Sequence, residues 1–171
     1  EWWKIIAVYN RSGLSIMKHI IEEQLEDSKD MKCVLVGDIN GRIGNLGGKF
    51  EDQLGNPIPR NTKDKVINKE GELWMQVFNE YGMSILNGNM DGDWKGEFTY
   101  VDHKSESVID YATANDRAWP KIESFVIGTM ENSDHFPLET TLKEMGVYEE
   151  PEEGKVVQHW CREGGAAYNR L

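Results

Sequence analysis

Carboxylate, amide and imidazole side chains fall in three short motifs that lie far apart along the chain. The motifs are Gly37-Asp38-Ile39-Asn40, Ser107-Val108-Ile109-Asp110-Tyr111 and Ser133-Asp134-His135. Each stands where an apolar run begins or ends, and pockets in α/β proteins form at strand ends. A carboxylate that orients water, an amide that steadies a phosphoryl oxygen and an imidazole that takes up a proton suit phosphodiester hydrolysis. Together and in this order, the motifs indicate one hydrolytic site.

The first motif follows the apolar run 33–36, which places Asp38 at the C-terminal end of a strand. Asn40 is two residues further on and points to the same side as Asp38 if the chain stays extended. Asp and Asn are also common in strand-to-loop turns. For this pair alone, a site and an ordinary turn are about equally good interpretations.

The other two motifs predict a carboxylate–imidazole pair. Asp110 lies between two apolar residues of a strand, where a half-buried carboxylate needs a partner, and His135 is the candidate. Asp134 and His135 are adjacent, so their side chains diverge, and the Asp134 carboxylate is left to hold a divalent cation. A lone Ser-Asp-His is more often a loop than a site.

Alternating strands and helices must position these motifs. Apolar runs predict strands over 5–9, 32–36, 83–86, 97–101, 107–113, 122–127 and 138–142. Apolar residues at helical spacing predict helices over 14–25, capped by Ser12, and over 70–81, stopped by Gly82. A glycine-rich loop covers 41–56. The pattern predicts a mixed α/β fold around a sheet, in a domain over 1–145 with an acidic, Gly-rich linker or tail over 146–171.

Bulk properties narrow the class of protein. A chain of 171 residues with 39% hydrophobic residues fits one globular domain. No apolar run approaches the roughly 20 residues that cross a membrane. Two Cys far apart form neither a zinc spacing nor a disulfide framework, so a reducing, nuclear or cytoplasmic location is expected.

Charge is unevenly distributed. The net charge of −11 argues against a generic nucleic-acid binder. Residues 40–69, however, hold six basic and three acidic side chains, namely Arg42, Lys49, Arg60, Lys63, Lys65 and Lys69 against Glu51, Asp52 and Asp64. A basic loop on an acidic body is compatible with a phosphodiester substrate, although each Lys taken singly fits a solvated surface equally well.

The motifs in combination resemble the second half of the endonuclease/exonuclease/phosphatase superfamily, which contains the apurinic/apyrimidinic endonucleases and pancreatic-type deoxyribonuclease. Gly96-Glu97-Phe98-Thr99-Tyr100 joins the three motifs above in carrying this resemblance. Residues 88–111 and 132–139 are more similar still to insect non-LTR retrotransposon endonucleases. The resemblance covers roughly 5–142 and implies part of a four-layer α/β/β/α sandwich.

Carried over motif by motif, the resemblance implies a role for each site residue. His135 would be the general base or a contact to the scissile phosphate, oriented by Asp110. Asp38 would position or deprotonate the attacking water, and Asn40 would bind the phosphate or transition state. Asp134 would be a metal-site carboxylate.

Three further assignments follow from the resemblance. Tyr9 falls where the family places a phosphate-contacting Tyr, although Arg11 replaces the usual Pro two residues later, and Ile39 replaces the usual Phe of the Asp38 motif. Arg42 and Tyr100 join Asn40 as predicted substrate-binding residues.

One part of the family pattern has no counterpart before Tyr9. The family's N-terminal half supplies an Asn and a Glu that hold the catalytic metal, and about one of two packed sheets. Glu22 and Glu23 lie on the wrong side of the Tyr9 motif to replace them. The expectation is an incomplete site for Mg²⁺ or Mn²⁺ and an open apolar sheet face. The strand residues expected to lack an opposite layer are Ile5, Ile6, Val34, Val36, Ile85, Val108, Ile109 and Val126.

The sequence thus predicts the C-terminal portion of a metal-dependent, DNA-nicking endonuclease from a retrotransposon-derived protein, inactive as this chain alone. Its partners would be DNA, the absent N-terminal half and a reverse transcriptase domain. One alternative is a non-catalytic remnant or binding module that keeps the pocket without the metal. Another is a phosphatase of the same superfamily acting on a small phosphoester or lipid headgroup, which the retrotransposon-like sequence disfavours.

Overall fold

Eight strands and two α-helices make up the fold in the computed structural model, which describes residues 2–129 and 132–143. In chain order they are β1 (Trp3–Tyr9), α1 (Leu14–Glu26), β2 (Lys32–Asp38), α2 (Lys69–Glu80), β3 (Ser84–Ile85), β4 (Tyr100–Val101), β5 (Glu106–Ser107), β6 (Asp110–Ala114), β7 (Ile122–Ile127) and β8 (Leu138–Leu142). A 3₁₀ turn over Trp119–Lys121 leads into β7. The predicted tail over 146–171 lies outside the described residues, so its boundary stays a prediction.

The central sheet has the order β1–β2–β6–β3. β1 and β2 are parallel and are joined by α1, while β6 runs antiparallel to both of its neighbours. Two antiparallel hairpins, β4–β5 and β7–β8, complete the structure. The predicted mixed α/β fold is therefore confirmed.

Alternation along the strands sorts side chains onto two faces of the sheet. One face, which includes Ile6 and Leu35, packs with Leu14 of α1 and with Trp74 and Phe78 of α2 in one buried cluster. The helices therefore cover this face. Burying their apolar stripes against the strands supplies most of the helical stability, because isolated helices of this length are marginal in water.

The opposite face is covered over β2 and β6 but open over β1. Val34 and Ala112 lie in a second buried cluster with Phe125 of β7. On β1, by contrast, Ile5 is 70% exposed and Tyr9 is 69% exposed. The four-layer arrangement stays a prediction, since the described residues show only the helices, the sheet and the β7–β8 hairpin against part of its second face.

The expected open face is therefore smaller than the sequence predicts. Of the residues expected to lack cover, Ile6, Val34, Ile85 and Val108 are buried, whereas Ile5 and Val126 are exposed. The prediction is wrong for the buried residues for two reasons. Ile6, Ile85 and Val108 pack in the cluster with the helices, and Val34 is covered by the β7–β8 hairpin.

Two local predictions are also corrected. Ser12 does not cap α1, whose N-cap is Gly13 at φ 94° with no side-chain cap. The backbone N–H of Leu14 instead donates to Glu70 Oε1 at 2.5 Å, so a carboxylate from α2 satisfies this helix end. The strand predicted over 107–113 is two strands, β5 and β6, separated by Val108 and Ile109.

Candidate active site

Three polar side chains form a row across one edge of the central sheet. Tyr9 is the register partner of Asp38, and Asp38 is the register partner of Asp110. Register partners point to the same face of a sheet. The last residues of β1 and β2 and the first residue of β6 therefore present a phenol and two carboxyl groups side by side.

His135 completes this row from above. An isolated antiparallel bridge joins it to Tyr100 of β4, and the Tyr100 ring meets the imidazole edge-on at 4.9 Å between centroids. His135 Nδ1 lies 3.1 Å from both carboxyl oxygens of Asp110. The predicted Asp110–His135 contact is thus confirmed. With Nδ1 facing the carboxylate, Nε2 is the nitrogen that can accept a proton from a bound water or hydroxyl.

Burial makes the two carboxyl groups easier to protonate than usual. Loss of solvent raises the pKa of Asp110, against the opposing effect of His135 and a hydrogen bond from Thr99, and the nearby charge of Asp38 raises it further. Burial also raises the pKa of Asp38, opposed by the Asn40 backbone N–H and by His135. A positive charge placed between the two carboxylates would reverse both effects.

Asp38, Asp110 and His135 can hold a cation together. One ligand atom from each lies within 4.8 Å of the others. Carboxylate oxygens and imidazole nitrogen are suitable ligands for Mn²⁺, and the carboxylates also suit Mg²⁺. The donor set therefore fits the metal that the sequence motifs imply. Asp134 is exposed and does not belong to this group within the described residues, so its metal role stays a prediction.

Asn40 reaches the site by a route that the sequence did not predict. Its φ is 51°, so the chain turns left-handed after Asp38 and the expectation of extended backbone is wrong. The Asn40 backbone N–H donates to Asp38 Oδ1 at 2.7 Å, which is an Asx turn. The turn brings the Asn40 side chain back to line the same pocket as Asp38.

These residues surround a pocket of about 430 Å³. It is lined by Tyr9, Asp38, Asn40, Arg42, Asn68, Tyr100, Ser105, Ser107, Ile109 and His135. The predicted site residues Tyr9, Arg42 and Tyr100 are thus brought together with the three central groups. Asp110 lies beneath them, buried against His135.

Sequence reasoning missed the pocket residues Asn68 and Ser105, and it gave no role to Ser107, although Ser107 opens the second motif. A signal existed for Asn68, because Asn directly before an apolar-periodic segment is a helix N-cap. The Asn68 side chain accepts from the Gly71 N–H at 2.8 Å and from the Arg42 N–H at 3.0 Å. The Asn68 side chain therefore caps the N-terminus of α2 and also holds the backbone of Arg42, another residue of the pocket wall. Ser105 carries no comparable signal, since it lies in a short hairpin of polar residues.

Comparison with known proteins identifies the family. A family model described as "Endonuclease-reverse transcriptase", of the exonuclease–endonuclease–phosphatase group, matches residues 3–139. The chain belongs to this family. The resemblance drawn from the motifs is thereby confirmed. No curated protein sequence matches the chain.

Two solved structures are similar in fold to this chain. One is the endonuclease domain of TRAS1, a telomere-specific non-LTR retrotransposon, with a TM-score of 0.53 at 16% identity over 81% of this chain and 55% of that one. The other is the 3'-5' exonuclease NExo from Neisseria meningitidis, with a TM-score of 0.52 at 17% identity over 82% of this chain and 61% of that one. The chain thus spans somewhat more than half the length of the structures it matches.

Proposed function

We propose that the chain is the C-terminal portion of a divalent-metal-dependent endonuclease that nicks DNA and is linked to a reverse transcriptase in its parent protein. The observation that supports this most is the convergence of Asp38, Asp110 and His135 within 4.8 Å of one another at a polar pocket. Family membership adds that these groups belong to a nuclease-type scaffold.

In this proposal the carboxylate–imidazole pair handles the proton. Asp110 orients the imidazole through Nδ1, leaving Nε2 to receive a proton from the attacking water or to contact the scissile phosphate. Asp38 lies beside the pair and positions that water. Burial raises the pKa of its carboxyl group, and the Asn40 backbone N–H and His135 oppose that effect.

Substrate binding uses the remaining pocket residues. Asn40, Arg42, Tyr9 and Tyr100 line the pocket and offer amide, guanidinium and phenol groups. Arg42 is the one permanently cationic side chain among the pocket-lining residues of the described chain. It would offset the charge of a phosphodiester, which two carboxylates alone would repel.

A divalent cation would be held by Asp38 and Asp110 with His135 beside them. When bound, such an ion stabilises negative charge on the phosphate and on the leaving oxygen. The family resemblance implies a metal held by an Asn and a Glu from a preceding half, with Asp134 as a further carboxylate of that site. We therefore propose that the chain alone nicks DNA slowly or not at all, and that a preceding half restores the activity.

Substrate size separates the alternatives. A phosphatase acting on small phosphoesters would hydrolyse p-nitrophenyl phosphate, and a binding module would hold DNA without cleaving it. No helix in residues 2–129 or 132–143 is long and apolar enough to cross a membrane. Among the basic residues of 40–69, Lys65 and Lys69 are exposed on either side of the pocket-lining Asn68 in the sequence, which favours an extended polyanion over a single headgroup.

The experiment compares the chain alone with the chain fused behind the N-terminal half of a related full-length endonuclease. Supercoiled plasmid is incubated with Mg²⁺ or Mn²⁺, with EDTA as the blank. We expect nicking by the fusion, little or none by the chain alone, and a loss of about 10³-fold with His135→Ala in the fusion. Asp116→Asn, an exposed Asp outside the pocket, is the matched control. Nicking by the fusion that survives His135→Ala and Asp38→Asn would show that the site does another task.

A further inference from the structure

A bidentate ion pair holds the guanidinium of Arg42 at the pocket. Arg42 Nε donates to Asp64 Oδ2 at 2.7 Å, and Nη2 donates to Asp64 Oδ1 at 2.6 Å. This parallel arrangement fixes the guanidinium plane as well as its position. The Asp64 side chain is only 2% exposed, whereas the Arg42 side chain keeps 31% of its surface open.

Asp64 is itself held rigidly by the backbone around it. Its Oδ1 accepts from the Val66 N–H and its Oδ2 accepts from the Val108 N–H, each at 3.0 Å. Burial disfavours the charged carboxylate, but the hydrogen bonds from Arg42, Val108 and Val66 outweigh it and lower the pKa of Asp64. Each oxygen therefore accepts one guanidinium N–H and one backbone N–H.

The backbone of Arg42 is anchored on its other side by α2. The N–H of Arg42 donates to the Asn68 side chain, and the Asn68 N–H donates to the Arg42 carbonyl, both at 3.0 Å. Across the described chain, the side-chain hydrogen bonds of Arg42 use Nε and Nη2 only. Nη1 thus remains as a donor on a cation whose backbone and side chain are both fixed.

We propose that Asp64 is a positioning residue that presents Arg42 as a prealigned ligand for a phosphate of the nucleic-acid backbone. The inference rests on the proposed function, since it assigns the anion that Arg42 meets in the pocket. A flexible Arg would lose side-chain freedom on binding a phosphate, and the fork to Asp64 removes most of that loss beforehand.

Asp64 also connects the two sides of the pocket. Val108, whose N–H it accepts, precedes Asp110 by two residues, and Arg42 follows Asn40 by two. The same buried carboxylate therefore sets the spacing between the phosphate-binding side and the Asp110–His135 side. Such a link matters because a displacement of about 1 Å in a catalytic arrangement has a large effect on rate.

Asp64→Asn is the informative variant, because no orientation of the amide can satisfy this site. In either orientation, the amide NH₂ group takes the place of an oxygen that accepted one guanidinium N–H and one backbone N–H. Donors then face donors, and two hydrogen bonds are lost. The substitution also removes a negative charge beside the pocket. A simple electrostatic role would therefore make DNA binding tighter, whereas a positioning role makes it weaker.

The test measures binding of a fluorescent DNA duplex by anisotropy in EDTA, over a range of salt concentrations. We expect Arg42→Gln and Asp64→Asn each to weaken binding about tenfold, and the double variant to bind no worse than Arg42→Gln alone. Arg42→Gln should also reduce the salt slope by about one. Glu97→Gln, which removes the carboxylate of the exposed Lys63–Glu97 pair, is the matched control and should not weaken binding.

Each outcome has a distinct meaning. Two results would overturn the positioning role and leave the proposed function standing. One is wild-type affinity in Asp64→Asn. The other is that Asp64→Asn weakens binding as much in the Arg42→Gln background as it does in the wild-type chain. Absence of DNA binding by the wild-type chain overturns the proposed function and the inference with it, whereas wild-type affinity in Arg42→Gln overturns the inference alone. If circular dichroism shows that Asp64→Asn is unfolded, the DNA affinity of Arg42→Lys tests the positioning role instead. Lysine keeps the charge but cannot form the fork, so wild-type affinity in that variant overturns the inference.

Discussion

Asp38 on β2 and Asp110 on β6 are direct cross-strand partners, so two carboxyl groups share one face of the sheet beneath His135. After burial, which is the largest cause, the charge of Asp38 is one of the factors that raise the pKa of Asp110. We therefore expect Asp38→Asn to lower the pKa of Asp110 without bringing it to the ordinary value, because burial remains. The measurement is an NMR titration of the Asp110 carboxyl carbon.

Asp116→Asn provides the control for that titration. Asp116 is exposed and pairs with Lys49 after the far end of β6, so it should leave the pKa of Asp110 unchanged. An Asp110 pKa that does not move in Asp38→Asn would mean that the two carboxyl groups do not sense each other.

The raised pKa of Asp38 also gives a prediction for stability against pH. A carboxyl group whose pKa is higher in the folded than in the unfolded state favours the folded state at low pH. That contribution is lost as pH rises from the unfolded value, about 3.9, through the folded value. We expect Asp38→Asn to raise the free energy of unfolding at pH 7 relative to wild type, and the difference to vanish below about pH 3. Urea unfolding at a series of pH values measures it, and a stability difference that grows on acidification would contradict it.

Gly37 shows how the sheet brings Tyr9 and Asp38 together. Its φ is 136°, and a Cβ at this position would lie 2.0 Å from the Val8 carbonyl oxygen. We expect Gly37→Ala to lower the free energy of unfolding by at least ~3 kcal/mol, through backbone strain and the clash with β1. Gly55→Ala is the control, because Gly55 also has a positive φ, 81°, but nothing within 4 Å of its Cβ. It should cost only about 1 kcal/mol. Thermal unfolding compares the two, and equal costs would show that the close approach of β1 is not what requires glycine.

Much of the site was predictable because strand ends are readable from the sequence. An apolar run followed by Gly37-Asp38 marks the end of β2. An Asp inside an apolar strand needs a polar partner, and this requirement predicts the contact between Asp110 and His135. The bounds of β7 and β8 also agree with the predicted strands, because Pro137 and the polar residues around these runs limit them.

The remainder depends on tertiary contacts that leave no local pattern. The left-handed Asn40 is one such feature, and the buried Asp64 is another, since it lies in a polar loop that resembles any solvated segment. The cap of α1 is a third, because Glu70 is 56 residues away from the Leu14 N–H that it accepts. No periodicity in the sequence around Ser12 could reveal that partner.

That long-range cap predicts a stability effect at Asn10, which adjoins Tyr9. The buried Asn10 side chain donates to the Ile39 carbonyl at 2.8 Å and to Glu70 Oε1 at 2.7 Å. We expect Asn10→Ala to lower the free energy of unfolding by about 2–3 kcal/mol, because buried acceptors lose their partner. It should also weaken DNA binding, because the Asp38–Asn40 turn loses its anchor. Asn79→Ala, at an exposed position in α2, is the matched control and should cost nothing. Similar melting temperatures for the two variants would contradict this role of Asn10.

The open part of the sheet predicts self-association. In residues 2–129 and 132–143, β1 is an edge strand, and Ile5 and Tyr9 expose their side chains on the face that the β7–β8 hairpin leaves uncovered. Exposed apolar edge strands of this length are prone to pair with other chains. We expect the chain to self-associate as its concentration rises in light scattering, and Ile5→Thr to shift it toward the monomer while keeping β propensity.

Ile6→Thr is a demanding control for that experiment, because it makes the same change one residue along on the opposite face. Ile6 is buried against the helices, so its substitution should destabilise the fold by about 2–4 kcal/mol and increase aggregation instead. Fusion behind a related N-terminal half should reduce self-association in the same way as Ile5→Thr, if that half covers β1. A wild-type chain that stays monomeric at every concentration would show that the exposed face of β1 is too small to drive association.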